Sequence, residues 1–178
     1  IRQCVAVNPE TGRSLPTVNP LVFECNDGFL NDIQRMAITD QHYLAACDAA
    51  QVDVAQGAIG AGRGMSCFGL KGGIGSASRC CDGYTVGALV LANYGQLHQL
   101  ILAGKALGPM LAERLTQIDE AEKGSIILLL ATDAPLDARQ LRRLALRAGV
   151  GLARTGSVFG HGSGDIALAF STAYTVPQ

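Results

Sequence analysis

The sequence predicts a layered α/β or α+β domain, and three observations support this class. The chain has 178 residues, of which 48% are hydrophobic and 16% charged, the size and composition of one globular domain with a real core. The run Ile126 to Ala131 is apolar on both faces, as is typical of a central strand. An amphipathic helix is expected after Asp137. Helices that flank buried strands indicate a layered domain.

The first part of the chain is expected to contain turns, one helix and a glycine-rich loop. Residues 1–20 include Asn8-Pro9 and Asn19-Pro20 and are expected to follow the surface. A helix is predicted from about Thr39 to Ala50, with Thr39 or Asp40 as its cap. The glycines between Gly57 and Gly75 are too dense for a helix, so they indicate positive φ angles or close backbone approach.

The middle of the chain is predicted to form a strand pair and a short helix. Tyr84 to Asn93 has the composition of a strand, and Leu97 to Leu102 is its expected partner across a turn at Tyr94-Gly95. Pro109 to Ile118 is predicted to be a short helix. The polar stretch Asp119 to Lys123 that follows should be exposed.

The last part of the chain contains the clearest helix signal. Asp137 followed by Gln140 resembles a capping box, which marks a helix start. The helix should turn an apolar stripe towards the core and its arginines towards solvent. Gly160 to Asp165 then leads into a predicted strand from Ile166 to Phe170. The stripe consists of Leu141, Leu144, Ala145, Ala148 and Leu152, and the arginines are Arg139, Arg142, Arg143 and Arg147.

Charge and composition exclude several classes of partner. Lys and Arg number 14 and Asp and Glu 15, so no strong field would recruit nucleic acid or an anionic membrane. No apolar run approaches the roughly 20 residues of a membrane span. The six cysteines have no zinc-like spacing and are predicted to be buried small hydrophobes in a reducing, cytoplasmic compartment. Because the chain begins at Ile1, its natural N-terminus is expected to lie upstream.

Gly124-Ser125 is the first candidate for chemistry, since it lies where a polar, acidic loop meets a buried strand. Taken alone, it is also compatible with a structural strand entry. No G-x-S-x-G elbow surrounds any serine, so an α/β-hydrolase has no support. The surrounding motifs decide between the two interpretations.

Several motifs between about Val22 and Thr172 resemble, in the right order, the self-processing DmpA family. This family includes L-aminopeptidase D-Ala-esterase/amidase and the β-peptidyl aminopeptidases. The motifs are Asp27-Gly28-Phe29-Leu30-Asn31-Asp32-Ile33, Lys71-Gly72-Gly73-Ile74-Gly75, Tyr84-Thr85-Val86-Gly87, Lys123-Gly124-Ser125-Ile126-Ile127, Ala131-Thr132-Asp133-Ala134-Pro135-Leu136, Gly151-Leu152-Ala153-Arg154-Thr155-Gly156-Ser157 and His161-Gly162-Ser163-Gly164-Asp165-Ile166.

The resemblance implies a fold and a processing event. The fold is an αββα four-layer sandwich, an α+β architecture shared with ornithine acetyltransferase. The precursor is expected to cut itself at Gly124-Ser125, so that residues 1–124 form the C-terminal part of an α polypeptide and residues 125–178 the N-terminal part of a β polypeptide. On this interpretation the chain is a single catalytic domain lacking both ends.

The resemblance makes Ser125 the nucleophile. Cleavage frees its α-amine, whose ordinary pKa of about 7.7–8.0 suits a general base towards its own hydroxyl. No histidine is then required as the base. His42 and His98 are expected to be surface residues, and the resemblance gives His161 no catalytic role. No metal or organic cofactor is expected.

Further site residues follow from the resemblance. Asn93 matches the oxyanion-hole asparagine, although on its own it would be a turn residue before Tyr94-Gly95. Ser163 and Asp165 match a polar pair next to the nucleophile, in which β-peptidyl relatives carry Glu in place of Asp165; alone they would close a glycine-rich turn. Glu24 matches the carboxylate that binds the substrate's free amino group in the family. Asn26 lies at the position where a D-specific relative has a side chain with an aromatic hydroxyl.

The expected activity is release of N-terminal residues from short peptides, amides or esters through an acyl-enzyme on Ser125, by a homo-oligomer of αβ units. One alternative is an acyltransferase of the ornithine acetyltransferase type, which departs from this chain by using a threonine nucleophile. Another is an uncleaved relative that acts as a scaffold.

Overall fold

One four-stranded mixed sheet organises the chain. The computed structural model describes residues 1–115 and 124–175, and its helices and strands confirm an α+β class. The sheet order is β3-β4-β7-β8, antiparallel except for the parallel β7–β8 pair. The helices are α1 (Arg2–Val7), α2 (Asp40–Asp48), α3 (Gly108–Ala112) and α4 (Ala138–Ala153). The strands are β1 (Ser66–Cys67), β2 (Leu70–Lys71), β3 (Gly73–Cys81), β4 (Tyr84–Asn93), β5 (Ile101–Leu102), β6 (Lys105–Ala106), β7 (Ser125–Thr132) and β8 (Gly164–Ser171).

Strand β7 is the central strand that its apolar sequence predicts. It pairs with β4 on one side and with β8 on the other. Ile126 is only 1% exposed and packs with Phe68, Tyr94 and Leu152 in the core. A strand buried on both faces needs no polar alternation, which explains the continuous run.

The partner predicted for β4 is wrong, although the bounds of β4 are as predicted. Leu97–Gln99 forms a 3-10 turn, and Ile101–Leu102 pairs with Lys105–Ala106 in a separate hairpin. The strands next to β4 are instead β7 and β3, and β3 begins inside the glycine-rich segment. Strand pairing uses backbone groups, so a strand of small residues pairs as well as an apolar one when its neighbour is long and regular.

Helix α4 covers one face of the sheet. The predicted capping box is present: Gln140 N donates to Asp137 Oδ1 (2.7 Å) and Asp137 N to Gln140 Oε1 (2.9 Å). Leu152 is 4% exposed against the sheet, and the predicted arginines are exposed. Strand alternation puts Ile126 and Leu128 on the α4 face.

The N-terminal segments are more helical and the cysteines less buried than predicted. Helix α1 lies within residues expected to form turns, and α2 confirms the predicted helix with Thr39 as its N-cap. Cys80 and Cys81 are exposed because they end the edge strand β3, and Cys47 is exposed on α2. Cysteine counts alone did not reveal these edge positions.

Two further expectations meet the limits of the described chain. Helix α3 confirms the start of the helix predicted from Pro109 to Ile118. That helix ends at Ala112, with Glu113 as its C-cap, so it is shorter than the predicted helix to Ile118. The polar stretch Asp119 to Lys123 lies outside the described residues. Within the described part, no helix has the length and apolar character needed to cross a bilayer.

Candidate active site

Ser125 begins β7 with its hydroxyl against the peptide bond that precedes it. Ser125 Oγ donates to the Gly124 carbonyl oxygen at 2.7 Å. The same oxygen accepts a hydrogen bond from Gly164 N at 3.3 Å. Two donors therefore polarise the carbonyl of the Gly124–Ser125 bond.

Gly124 lies where a side chain would not fit. A Cβ at this position would lie 2.7 Å from Asn93 O and 2.8 Å from Tyr94 Cα. Both atoms belong to the backbone, so they cannot move aside as a flexible side chain would. The residue before the nucleophile is thus pressed against the end of β4.

Gly124→Ala is expected to slow self-cleavage about 100-fold, because the added Cβ must push the carbonyl away from Ser125 by a fraction of an ångström or more. The measurement is the uncut fraction of the full-length protein over time, by intact mass spectrometry. Gly151→Ala is the matched control, since nothing lies within 4 Å of a Cβ there. Equal cleavage rates in the two variants would contradict the steric argument.

Asn93 lies directly across from Ser125 in the β4–β7 ladder. Residues that face each other across an antiparallel pair share a sheet face, with Cβ atoms about 4.5–5.5 Å apart. The Asn93 side chain is 5% exposed; Oδ1 accepts from Ser66 N (2.9 Å) and Nδ2 donates to Asn26 O (2.9 Å). A flipped amide would oppose donor to donor and acceptor to acceptor, so the orientation is fixed.

Cys25 attaches the predicted substrate-binding segment to the nucleophile. Its thiol donates to Ser125 O at 3.5 Å. Burial raises the pKa of the Cys25 thiol to about 11, and the negative charges of nearby carboxylates add to the shift. The thiol is therefore protonated and a donor at neutral pH. The carboxylates are Asp165, Asp27 and Glu24, which the fold gathers around this one side chain.

Glu24 and Asn26 flank Cys25 and meet the site in different ways. Glu24 is exposed, with its charge close enough to affect the thiol. The Asn26 backbone oxygen accepts from Asn93, while its side-chain Oδ1 accepts from Gly28 N at 2.9 Å and closes a turn. A direct role of the Asn26 side chain towards substrate stays a prediction.

Ser163 and Asp165 form the expected pair, and Ser163 Oγ donates to Asp165 Oδ1 at 2.6 Å. The ladder places Gly164 opposite Ser125, and Asp165 opposite Ile126. Alternation therefore directs Asp165 towards the α4 face, away from the face that carries the Ser125 hydroxyl. The pair therefore lies next to the start of β7, with Asp165 on the opposite sheet face from the Ser125 hydroxyl.

Residues that sequence reasoning missed hold these groups in place. Cys25 lies between two predicted substrate residues and so had a positional signal. Ser66 contributes a backbone N–H, which no side-chain motif reveals. Lys71 belongs to a matched motif, but its contacts become visible only in the folded chain.

The histidines and metal-binding side chains add no second centre to the described chain. His42, His98 and His161 are exposed. Within residues 1–115 and 124–175, no group of three or more His, Cys, Asp or Glu side chains is arranged to hold a metal ion. The candidate site thus consists of the Ser125 hydroxyl, the buried Asn93 amide and nearby carboxylates.

Comparison with known proteins identifies the family. The sequence profile of peptidase family S58 matches residues 1–178. The chain belongs to peptidase family S58. β-Peptidyl aminopeptidase BapA of Sphingosinicella microcystinivorans is 45% identical over 172 residues, which cover 86% of this chain and 43% of the relative. The resemblance to the DmpA family is thereby confirmed.

Solved structures with similar sequences agree with the fold. A Pyrococcus horikoshii OT3 protein superposes with a TM-score of 0.88 at 49% identity, covering 97% of this chain and 48% of that one. L-aminopeptidase D-Ala-esterase/amidase of Ochrobactrum anthropi has a TM-score of 0.73 at 43% identity, covering 82% and 40%. It is described as a prototype of the serine aminopeptidases and a variant of the N-terminal-nucleophile (Ntn) hydrolase fold. The chain spans less than half the length of these relatives.

Proposed function

We propose that the protein containing this S58 chain is a self-processing serine aminopeptidase that uses Ser125 first to cut its own backbone and then to hydrolyse substrates. One observation carries the proposal: the Ser125 hydroxyl lies 2.7 Å from the carbonyl oxygen of the preceding residue, at the start of a buried strand and across from a buried asparagine. A serine held against its own peptide carbonyl is arranged for an N-to-O acyl shift.

Self-cleavage exchanges one acyl bond for another before water opens it. Ser125 Oγ attacks the Gly124 carbonyl carbon, the C–N bond breaks, and the hydroxyl proton ends on the departing Ser125 nitrogen. Water then hydrolyses the ester, leaving a Gly124 carboxylate and a free Ser125 α-amine. The Gly164 N–H that already contacts Gly124 O stabilises the charge that develops on that oxygen. Residues 1–124 and 125–178 would then belong to separate polypeptides.

Substrate hydrolysis uses the amine that cleavage creates. The α-amine removes the proton of Ser125 Oγ as the oxygen attacks the substrate carbonyl. An amide nitrogen carries two protons, and the Asn93 Nδ2 bond to Asn26 O uses one. The second proton is the proposed donor to the oxyanion, supported by the position of Asn93 across from Ser125. The substrate C–N or C–O bond then breaks, and the Ser125 ammonium gives its proton to the departing group. Water hydrolyses the resulting ester, which releases the acid and restores the Ser125 hydroxyl and amine.

Ser163 and Asp165 are proposed to orient the amine. A carboxylate beside an amine favours the ammonium form, which would disable a general base. The Ser163 hydroxyl occupies one Asp165 oxygen at 2.6 Å and so moderates the charge available to the amine. The proposal is supported by the position of the pair beside the first residues of β7, where the Ser125 amine would lie after cleavage.

The whole protein is proposed to form an αββα sandwich. The face of the sheet opposite α4 is apolar and half-buried, as expected if a second sheet packs on it. Assembly into a homo-oligomer of αβ units, which the family resemblance implies, remains a prediction. The residues of this face are Leu89, Leu91, Ile127, Leu129, Ile166 and Leu168.

The proposed substrates are short peptides, amino-acid amides and esters that carry a free amino group. Glu24 is the proposed partner of that ammonium. Its carboxylate and that of Asp165 both lie close enough to the Cys25 thiol to raise its pKa, and this thiol is hydrogen-bonded to the backbone oxygen of Ser125. A charge-assisted hydrogen bond of this kind selects a free N-terminus over an internal peptide. The test is hydrolysis of amino-acid amides beside their N-acetylated counterparts by the full-length protein. Acyl transfer to an added amine, without hydrolysis, would instead indicate an acyltransferase.

Glu24→Gln is expected to lower kcat/KM for free-amine substrates about 10- to 100-fold, the value of one hydrogen bond to a charged group. N-acetylated substrates should be affected much less, since they offer no ammonium. Steady-state kinetics on both substrate types measure the difference. Glu113→Gln is the matched control on an exposed carboxylate beyond α3. An equal loss on both substrate types would exclude ammonium recognition by Glu24.

A further inference from the structure

We propose that Lys71 is a positioning residue for the Asn93 amide and acts through the peptide group that joins Met65 to Ser66. The inference rests on the proposed function, because its consequence for catalysis depends on Asn93 as oxyanion donor. Lys71 touches neither the nucleophile nor Asn93 directly. Its effect is carried by backbone groups between them.

The Lys71 ammonium is fully used by the backbone of the glycine-rich segment. Nζ donates to Gly62 O at 2.7 Å, to Gly72 O at 2.8 Å and to Met65 O at 3.0 Å. An ammonium has three protons, so these three carbonyls account for all of them. Surface lysines seldom converge on backbone oxygens in this way, because their heads normally stay in water.

One peptide group connects this ammonium to Asn93. Met65 O accepts from Lys71 Nζ and also from Gly72 N at 2.8 Å. The N–H of the same peptide group belongs to Ser66 and donates to Asn93 Oδ1 at 2.9 Å. A peptide group is planar, so holding its oxygen fixes the direction of its N–H. Positive charge at the oxygen also polarises the group and strengthens the N–H as a donor.

The segment has little freedom to take another path. A Cβ on Gly72 would overlap the carbonyl oxygen of Ala92, the residue before Asn93, and a Cβ on Gly62 would overlap Gly57 O. Met65 is 3% exposed beneath them. The loop is therefore packed on the end of β4, and the Lys71 ammonium holds it there through hydrogen bonds to its backbone oxygens.

The consequence concerns the direction of Asn93 Nδ2. With Oδ1 held by Ser66 N, the amide plane presents Nδ2 to Asn26 O. The second Nδ2 proton is the one proposed to serve the oxyanion at Ser125, the residue across from Asn93 in the ladder. If the Met65–Ser66 peptide turned, Oδ1 would lose its donor and the amide could rotate. A misplacement of about 1 Å in such a group costs about 100-fold in rate.

The experiment is a double-mutant comparison in the full-length protein. Lys71→Met keeps an unbranched stem as far as Cε and removes the ammonium donors. We expect kcat per processed chain to fall about 100-fold with little change in KM. In an Asn93→Ala background, Lys71→Met should change kcat less than threefold, because no amide remains to be positioned. Lys105→Met, on the exposed β5–β6 hairpin, is the matched control. Intact mass spectrometry gives the processed fraction.

The outcomes separate this inference from the proposed function. If Lys71→Met lowers kcat equally in both backgrounds, its role is general stability and the positioning role is overturned. If Asn93→Ala itself leaves kcat unchanged, the oxyanion assignment fails, whatever Lys71 does. Should Lys71→Met not be processed, Lys71→Arg keeps a cation with different geometry and is compared in the same two backgrounds: a kcat loss confined to the Asn93 background supports positioning, and any other pattern overturns it.

Discussion

Replacing Ser125 with Ala is expected to leave the Gly124–Ser125 bond intact and to abolish peptide hydrolysis. The hydroxyl that lies 2.7 Å from Gly124 O is the only group in this arrangement that can form the ester. Without cleavage there is also no α-amine to act as base, so one substitution removes nucleophile and base together. The loss in kcat should be on the order of a million-fold, as when a serine nucleophile is deleted elsewhere.

Intact mass spectrometry of the full-length protein tests the first half of this prediction. The unchanged protein should give two polypeptides that divide at Gly124–Ser125, and the Ser125→Ala variant a single one. Ser78→Ala is the matched control, since Ser78 is an exposed serine on β3. A single uncut polypeptide in the unchanged protein would favour the scaffold interpretation, and cleavage that persists in Ser125→Ala would assign the reaction to another residue.

Local sequence patterns predicted two kinds of element: those stabilised by contacts between residues near in sequence, and strands that are apolar on both faces. The apolar run that became β7 and the capping box of α4 belong to this group, because each needs only its own residues to be recognised. Strand β3 does not, since its sequence is small and polar and its pairing with β4 is made by backbone groups. The wrong partner for β4 follows from the same limit.

The candidate site divides in the same way. The family resemblance picked out Ser125, Asn93 and Asp165 in the sequence. Their positions relative to one another come from the pairing of β4, β7 and β8, which brings the three residues to the same end of the sheet. Contacts such as Cys25 with Ser125 O span 100 residues of sequence. Gly124 is an example. The motif identified it as the residue before the cleavage point, but only the folded chain shows that a side chain there would clash with Asn93 O.

Asn93→Ala is expected to lower kcat about 100- to 1,000-fold, the usual loss when one oxyanion donor is removed. KM should change far less, because the substrate ammonium is proposed to bind Glu24. Self-cleavage should persist, since the Gly124 oxygen is contacted by Gly164 N and by the Ser125 hydroxyl rather than by the Asn93 side chain. Single-turnover kinetics per processed chain measure the effect on acylation.

Two variants separate this loss from a loss of stability. Asn93→Ala leaves Ser66 N–H and Asn26 O without this partner in a part-buried region. An unpaired polar group costs about 1–3 kcal/mol of folding free energy when it is fully buried, so the loss of stability here should be smaller. Asn93→Asp keeps an acceptor for Ser66 N but has no N–H to give, so its kcat should fall at least as far as that of Asn93→Ala. Asn19→Ala, at an exposed asparagine, is the neutral control. If Asn93→Asp kept full activity, the oxyanion would have to be held by backbone N–H groups alone, and the position of Asn93 across from the nucleophile would serve packing only.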